Sequence, residues 1–320
     1  MTAVVTMLLP FADVELLENV PSYVPSADNM WDFNRIRQST FTTTLDGVMG
    51  GQSSGAATFA TTLDGVMGGQ SMGGASRATG NKGLVLTGTV NTNGGGFVSY
   101  SRRGLVDLSG TSGLLFEAEA VTGQSSPLAL AIGLSTGNGW PPRSCTTLDG
   151  AIALPVHSYG QRTTFFLSYD EMELQRFWWW SWCPGFDFSR VRDISIRNVY
   201  QAGSFKVTLY SMKAVKKAPA YPYSWVKLPQ WWSPRALLSA AIKRGDYLES
   251  KEGGYYKMSY NVYRTAALQV VLSSGSVGSY VRGVLWNAVQ KATRDAPTRS
   301  DWRVARELKG SLKWALQFVW

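Results

Sequence analysis

Apolar residues follow two different rhythms along this chain, and the change between them divides it. From Trp31 to about Lys217 they come in short runs closed by Gly, Ser, Asn or Asp. Ser204-Phe-Lys-Val-Thr-Leu-Tyr-Ser-Met212 alternates apolar and polar positions, as a strand with one buried face does. Runs of the same kind predict strands at Gly83–Val90, Gly96–Ser101, Gly113–Ala120, Leu128–Leu134, Arg162–Tyr169, Val191–Asn198 and Ser204–Met212. No helical pattern separates them, so the region predicts a two-sheet sandwich of the jelly-roll kind. Past the linker Lys216-Lys217-Ala218-Pro219-Ala220-Tyr221-Pro222 the rhythm becomes helical. Helices are predicted over Pro234–Leu248, Val277–Arg294 and Trp302–Trp320. In the second, Val281, Leu285 and Val289 share a face. In the third, Val304, Leu308, Leu312, Ala315 and Val319 do so, opposite Arg303, Arg306, Lys309 and Lys313. The expected layout is an irregular arm over 1–30 carrying Pro10, Pro21 and Pro25, a β-jelly roll over 31–217, and an α-helical C-terminal extension over 218–320. The extension's apolar stripe is expected to be available for docking, and the β domain is expected to fold without it.

A repeat is superimposed on this pattern. TTLDGVMGGQS occurs at Thr43–Ser53 and again at Thr61–Ser71, an offset of 18 residues. Two tandem copies are too few for a solenoid, which needs at least three stacked units. Asn93-Gly94-Gly95-Gly96-Phe97 follows the second copy. Glycine pairs between apolar residues mark positive φ or close approach of another segment. The second copy, with Asp64–Gly69, stands nearer the NGGGF word.

Charge sharpens the division. Residues 219–320 hold 15 Lys+Arg against 6 Asp+Glu, so the formal +9 of the whole chain lies there and residues 1–218 are neutral. Such a surface suits anionic lipid headgroups or an acidic protein face, or is a solvated helical face. Tryptophan adds to it: Phe177-Trp178-Trp179-Trp180-Ser181-Trp182, then Trp225, Trp231 and Trp232. Consecutive strand residues point to opposite faces, so at most alternate rings of the first cluster share one side. Aromatics at this density suit a permanent protein interface. No run of apolar residues is long enough for a membrane-spanning helix. The N-terminal MTAVVTMLLPFADVELLENV reads as neither a secretory signal nor a transit peptide.

Catalytic patterns are present in letters and lack context. Gly51-Gln-Ser53-Ser-Gly55 and Gly69-Gln-Ser71-Met-Gly73 match G-x-S-x-G, and Asp107 or Asp149 precedes the single histidine, His157. A nucleophile elbow needs a helix after the serine, and the Gly- and Ser-rich residues 75–83 do not predict one. His157 reads as a loop histidine. Asp46, Asp64 and Asp149 each precede Gly, as turn-forming aspartates do, and turn formation explains them better than calcium binding. Cys145 and Cys183 lack metal-site spacing and read as reduced core cysteines, with a disulfide between them as the alternative. No catalytic residue, cofactor or metal is expected, and neither nucleic acid nor a small-molecule substrate.

Taken together, Trp31, DGVMGGQS, Gly83-Leu-Val-Leu-Thr-Gly88, Asn93–Ser99, Trp182-Cys-Pro-Gly-Phe-Asp-Phe188 and Gly203–Met212 resemble the CIA30 family, that of mitochondrial complex I intermediate-associated protein 30. The resemblance covers Trp31–Lys217. It implies a jelly roll similar to galactose-binding modules and a non-enzymatic role in assembling respiratory complex I, the NADH:ubiquinone oxidoreductase; the surface character of the added extension suits an accessory subunit retained on such a complex. It also implies the matrix side of the mitochondrial inner membrane; a photosynthetic complex in a plastid is the alternative, because relatives of the domain occur there. The motif residues it picks out are Asp64, Gly65, Met67, Gly68, Gly69, Asn93, Gly94, Gly95, Gly96 and Phe97. The duplicated loop and the basic extension depart from the family pattern, which has one DGVMGG loop; by the family's usual distance from NGGGF, the second copy, Asp64–Gly69, is expected to hold that buried position and the first to lie in an added loop or peripheral hairpin. The extension's candidate docking residues are Trp225, Trp231, Trp232, Trp302, Arg303, Arg306, Lys309, Lys313 and Trp320, with subunits of a large membrane complex and anionic lipid headgroups as the expected partners. A carbohydrate-binding module using its tryptophans is the reading from a different class.

Overall fold

A computed structural model describes residues 29–32, 41–43, 59–63, 70–77, 83–92, 96–120, 125–136, 146–156, 161–174, 185–219, 232–251, 254–273, 277–299 and 301–319. The strands are β1 (Asn29–Asp32), β2 (Phe41–Thr43), β3 (Phe59–Leu63), β4 (Met72–Arg77), β5 (Leu84–Val90), β6 (Phe97–Val106) and β7 (Gly113–Ala120). They continue as β8 (Leu128–Ser135), β9 (Thr147–Leu154), β10 (Thr163–Ser168), β11 (Glu173–Leu174), β12 (Val191–Val199) and β13 (Gly203–Val215). One sheet runs β10-β7-β13-β5-β4, with β1 also on β13; the other runs β11-β9-β8-β12-β6-β3-β2. β13 is long enough to pair β5 over Gly203–Leu209 and then β1 over Ser211–Ala214. The two sheets make the jelly-roll sandwich that the strand pattern predicts.

Bulky side chains fill the space between the sheets. Leu84, Leu86, Phe116, Val207 and Leu209 come from one sheet; Val98, Tyr100, Leu130, Ile132, Leu134, Ile152, Ile194 and Ile196 come from the other. The Tyr100 hydroxyl, buried among them, donates to the Thr87 carbonyl at 2.6 Å. That bond satisfies the one polar atom the ring brings into the core.

Four helices follow among the described residues: α1 (Pro234–Glu249), α2 (Tyr256–Leu272), α3 (Ser279–Asp295) and α4 (Asp301–Ala315). Ser233 caps α1, accepting from the Ala236 N–H at 3.2 Å, with Pro234 in the first turn. Their apolar residues build a second core together with Ala129, Ala151, Ala153 and Val156 on the outer face of β8 and β9. Helix α2 touches the other three helices and both strands. Buried polar bonds join the layers. The Gln269 side-chain amide pairs with Val156, accepting from its N–H at 3.0 Å and donating to its carbonyl at 2.9 Å. Gln201 does the same for Ala129 at 2.9 and 2.5 Å, and Arg244 of α1 donates to Gln201 at 2.9 Å. Thr265 donates to the Ala153 carbonyl at 3.1 Å.

This packing corrects one expectation. The apolar stripe Val281, Leu285, Val289 and the stripe Val304, Leu308, Leu312, Ala315, Val319 are buried inside the chain's own second core. They are not open to a partner, because the outer face of β8 and β9 already covers them through α1 and α2. Helix α2 and strand β9 are also absent from the sequence-based expectation. In β9, Asp149 and Gly150 lie mid-strand, paired with Gly133 and Ile132. Asp149 is therefore not a turn former; its carboxylate accepts from the Arg197 guanidinium at 2.5 Å. The clusters 177–182 and 221–231, both cysteines, His157 and Trp320 lie outside the described residues.

The repeat has a structural counterpart. β2 and β3 lie side by side and parallel, with Phe41 opposite Phe59, Thr42 opposite Ala60 and Thr43 opposite Thr61. That register is the repeat's own offset of 18 residues. β3, which opens the second copy, pairs β6, whereas β2 is the sheet edge. The end of the second copy is tied to the approach of the NGGGF word: Ser71 accepts from the Asn91 N–H at 3.0 Å, and Asn91 donates to Gln70 at 3.3 Å. Ser71 is buried and is followed by strand β4, not by the helix of a nucleophile elbow.

Candidate functional site

Helix α4 carries the best-defined unclaimed surface. Its sequence DWRVARELKGSLKWA buries Val304, Ala305, Leu308, Leu312 and Ala315. At 100° per residue this leaves an outward arc of Trp302, Arg303, Arg306, Gly310, Lys313, Trp314 and Gln317. Asp301 in the first turn complements the helix dipole and pairs with Lys257 of α2 at 3.3 Å. At the other end Arg235 of α1 donates to the Leu316 and Val319 carbonyls at 3.1 and 3.0 Å. Both helix ends are thus fixed to the layer beneath.

On the arc, Trp302 is 40% exposed. The guanidiniums of Arg303 and Arg306 lie 5.3 and 4.9 Å from its ring centroid, within cation–π range. Twelve and sixteen residues on, Trp314 and Phe318 meet with tilted rings at 4.7 Å, and Tyr280 of α3 meets Trp314 edge-on at 5.8 Å. Tyr280 is 73% and Phe318 51% exposed, so the cluster faces solvent. Arg303, Arg306 and Lys313 have no acidic partner among the described residues. Glu307, the acid closest to them in sequence, is held by Lys291 at 2.7 Å and Arg299 at 2.9 Å. Those two cations hold its carboxyl below the usual glutamate value.

The sequence-predicted docking residues therefore separate. Trp302, Arg303, Arg306 and Lys313 share the exposed arc. Lys309 turns to α1, where it bridges Asp246 at 2.8 Å and Glu249 at 2.6 Å. Burial pulls its ammonium down, and the two carboxylate hydrogen bonds outweigh that and raise it. Trp232 is half-buried against the second core. Trp225, Trp231 and Trp320 lie outside the described residues. Tyr280, Trp314 and Phe318 were not among the expected residues. Their signal is weak in sequence, because Tyr280 belongs to another helix and Phe318 follows the end of α4.

Between α1, α2 and Trp302 lies an open cleft of about 700 Å³, lined by Asp246, Glu249, Ser250, Tyr256, Trp302, Arg306 and Lys309. Its two carboxylates are already spent on Lys309. Among the described residues no group of three or more His, Cys, Asp or Glu is placed to hold a metal ion, and no helix is long and apolar enough to cross a membrane.

Of the family-motif residues, Asp64, Gly65, Met67, Gly68, Gly69, Asn93, Gly94 and Gly95 lie outside the described residues. Gly96 has φ +142°, and a Cβ there would stand 2.8 Å from the Tyr200 ring. Tyr200 donates its N–H to the Gly96 carbonyl at 2.5 Å, and its ring meets Tyr255 before α2 edge-on at 5.4 Å. The fourth residue of the NGGGF word therefore needs glycine both for its dihedral and for a contact leading into the helical layer. Phe97 opens β6 opposite Val199.

The chain matches no family model and no curated protein. Among solved structures, it is similar to a family 11 carbohydrate-binding module from Clostridium thermocellum, in complex with a β-1,3-1,4-mixed-linked tetrasaccharide. The identity is 13%, the match covers 47% of this chain and 86% of the module, and the TM-score is 0.32. It is also similar to an agarase, AgWH50C, at 12% identity over 60% of this chain and 29% of that one, with a TM-score of 0.33. Likenesses at this level say nothing of a ligand or an activity.

Proposed function

We propose that the protein is a non-catalytic scaffold, an accessory subunit or assembly factor docked on a large membrane-associated complex. Respiratory complex I is the partner that the resemblance to the CIA30 family suggests. The observation that supports this most is the outward face of α4. It sets Trp302, Arg303, Arg306 and Lys313 on one arc, with no acidic partner among the described residues, on a helix anchored at both ends to the fold. A surface held this rigidly presents its side chains to a partner with little ordering cost. Exposed aromatic and arginine side chains are the types that dominate binding energy when buried at an interface. Ser71, the serine of a G-x-S-x-G match that lacks the context of a nucleophile elbow, has a structural task in binding Asn91. A mitochondrial location on the matrix side accompanies this reading, with a plastid photosynthetic complex as the variant of the same role.

The test is native gel separation of organelle membranes that contain the full chain, with mass spectrometry of the band that holds it. Co-migration with complex I subunits is the expected result. A chain that runs free of every high-mass band, and that is retained on a polysaccharide column, contradicts the scaffold role and supports the carbohydrate-binding alternative.

A further inference from the structure

We infer that the outward face of α4, with Tyr280 of α3, lies against an anionic lipid bilayer surface. The inference rests on the docking role proposed above and gives it an occupant. Three observations carry it. The first is composition: Trp302, Trp314, Phe318 and Tyr280 are interleaved with Arg303, Arg306 and Lys313. Aromatic rings beside cations are what helices lying in the headgroup zone present. The second is charge. Glu307, the one acid on the outward side of α4, is neutralised by Lys291 and Arg299, and Asp246 and Glu249 in the cleft beside Arg306 share the one cation Lys309, so the arc offers an excess of positive charge to phosphate headgroups. The third is shape. The surface runs along a helix of 15 residues, about 22 Å long, with exposed rings at Trp302 near one end and at Phe318 and Tyr280 near the other. A flat surface meets all of it at once. At the Trp302 end the row borders the 700 Å³ cleft, whose acids Asp246 and Glu249 pair with Lys309.

The guanidiniums over the Trp302 ring fit the same picture. A ring at headgroup depth keeps its apolar body toward the acyl chains while the adjacent cations reach phosphate. Each basic residue near such a surface adds about 1 kcal/mol, and salt screens that share over a Debye length.

The test uses the purified full chain and two kinds of vesicle, phosphatidylcholine alone and an equal mixture of phosphatidylcholine and phosphatidylglycerol, in a sedimentation assay. The expected result is binding to the anionic vesicles that weakens with added salt, and much weaker binding to the zwitterionic ones. Arg303→Gln/Arg306→Gln/Lys313→Gln should lower the partition onto anionic vesicles roughly hundredfold. Tyr280→Ser/Phe318→Ser should lower it by at least about tenfold without altering the salt dependence. Both variants change exposed side chains, and an unfolding temperature equal to that of the wild type verifies the fold. Equal binding to both vesicle types, or anionic binding that survives both variants, overturns the bilayer contact. A chain that co-migrates with the high-mass complex yet ignores anionic vesicles also overturns it, while leaving the docking role intact with a protein surface as occupant.

Discussion

Strands β8 and β9 are covered on both sides, and their two faces are built on different scales. Toward the opposite sheet they send Leu128, Leu130, Ile132, Leu134, Leu148, Ile152 and Leu154. Toward the helices they send Ala129, Ala151 and Ala153, with Ala131 partly buried. Large side chains hold two sheets about 10 Å apart. Small ones let a helix settle close to the strands, near enough for Gln269 and Thr265 to reach strand backbone. The comparison teaches that the helical region is a third layer of one molecule, sharing β8 and β9 with the sandwich. The proposed docking role falls to the face of α4 that this layer turns outward.

Removing the layer is the largest perturbation. A chain ending at Lys217 exposes the alanine face and leaves the Val156 N–H and carbonyl without Gln269. The expected outcome is loss of several kcal/mol, the scale of a lost domain core, seen as a collapse of cooperative thermal unfolding. A truncated chain that unfolds with the wild-type midpoint would show the layers to be independent.

Neighbouring substitutions sharpen the contrast between the faces. Ile152→Ala opens a cavity between the sheets and should cost about 2–5 kcal/mol. Ala153→Leu, one residue on and facing the helices, should cost about 1–3 kcal/mol by overpacking. Chemical denaturation measures both. If the leucine is harmless, the helices do not approach as closely as the contacts indicate.

A pH experiment probes the seam between the layers. Burial pushes the Glu171 carboxyl above its ordinary value of 4.5, against the pull of Arg264 and Lys257. A carboxyl raised in the folded state binds its proton more tightly than in the unfolded chain. Its contribution is therefore complete below the ordinary value and is lost as pH rises through the raised one. Glu171→Gln should make the stability difference between pH 4.5 and neutrality smaller, as read by denaturant titration at each pH. A larger difference in the variant would contradict the assignment.

The smallest effect is expected at the repeat. Deleting Thr43–Ala60 removes the first copy and joins Thr42 to Thr61, so that Phe41-Thr42 stands where Phe59-Ala60 preceded the second copy. Stability should change within about 1 kcal/mol, the scale on which loop closure varies. Unfolding of the deleted chain at ambient temperature would mean that the first copy is structural.

Much of this was legible in the sequence. Strands such as Gly113–Ala120 were read to the residue, because their apolar runs end at turn residues. Two elements escaped for the same reason. Helix α2 buries Met258, Tyr260, Val262, Tyr263, Ala266, Leu268 and Val270 on several sides, so it has no polar stripe to give a helical period. β9 sets Leu148, Ile152 and Leu154 against Ala151 and Ala153 rather than against polar residues, and its Asp149-Gly150 pair mimics a turn. Large-to-small alternation in LALAIGL and GAIAL is the signal that a helical layer covers the second face. At the candidate site, the α4 arc was visible in its period. The destination of the apolar stripe was not, since a pattern records that a face is apolar and not what covers it.

The central claim is that α4 holds the fold with its inward face and docks with its outward one. Truncation confounds the two, so the decisive variant is the full chain carrying Arg303→Glu, Arg306→Glu and Lys313→Glu. Its unfolding temperature and its migration on a native gel of organelle membranes are measured together. The account predicts an unchanged unfolding temperature and release from the high-mass band. A variant that is equally stable and stays in that band as fully as the wild type would contradict it, placing the contact elsewhere on the molecule.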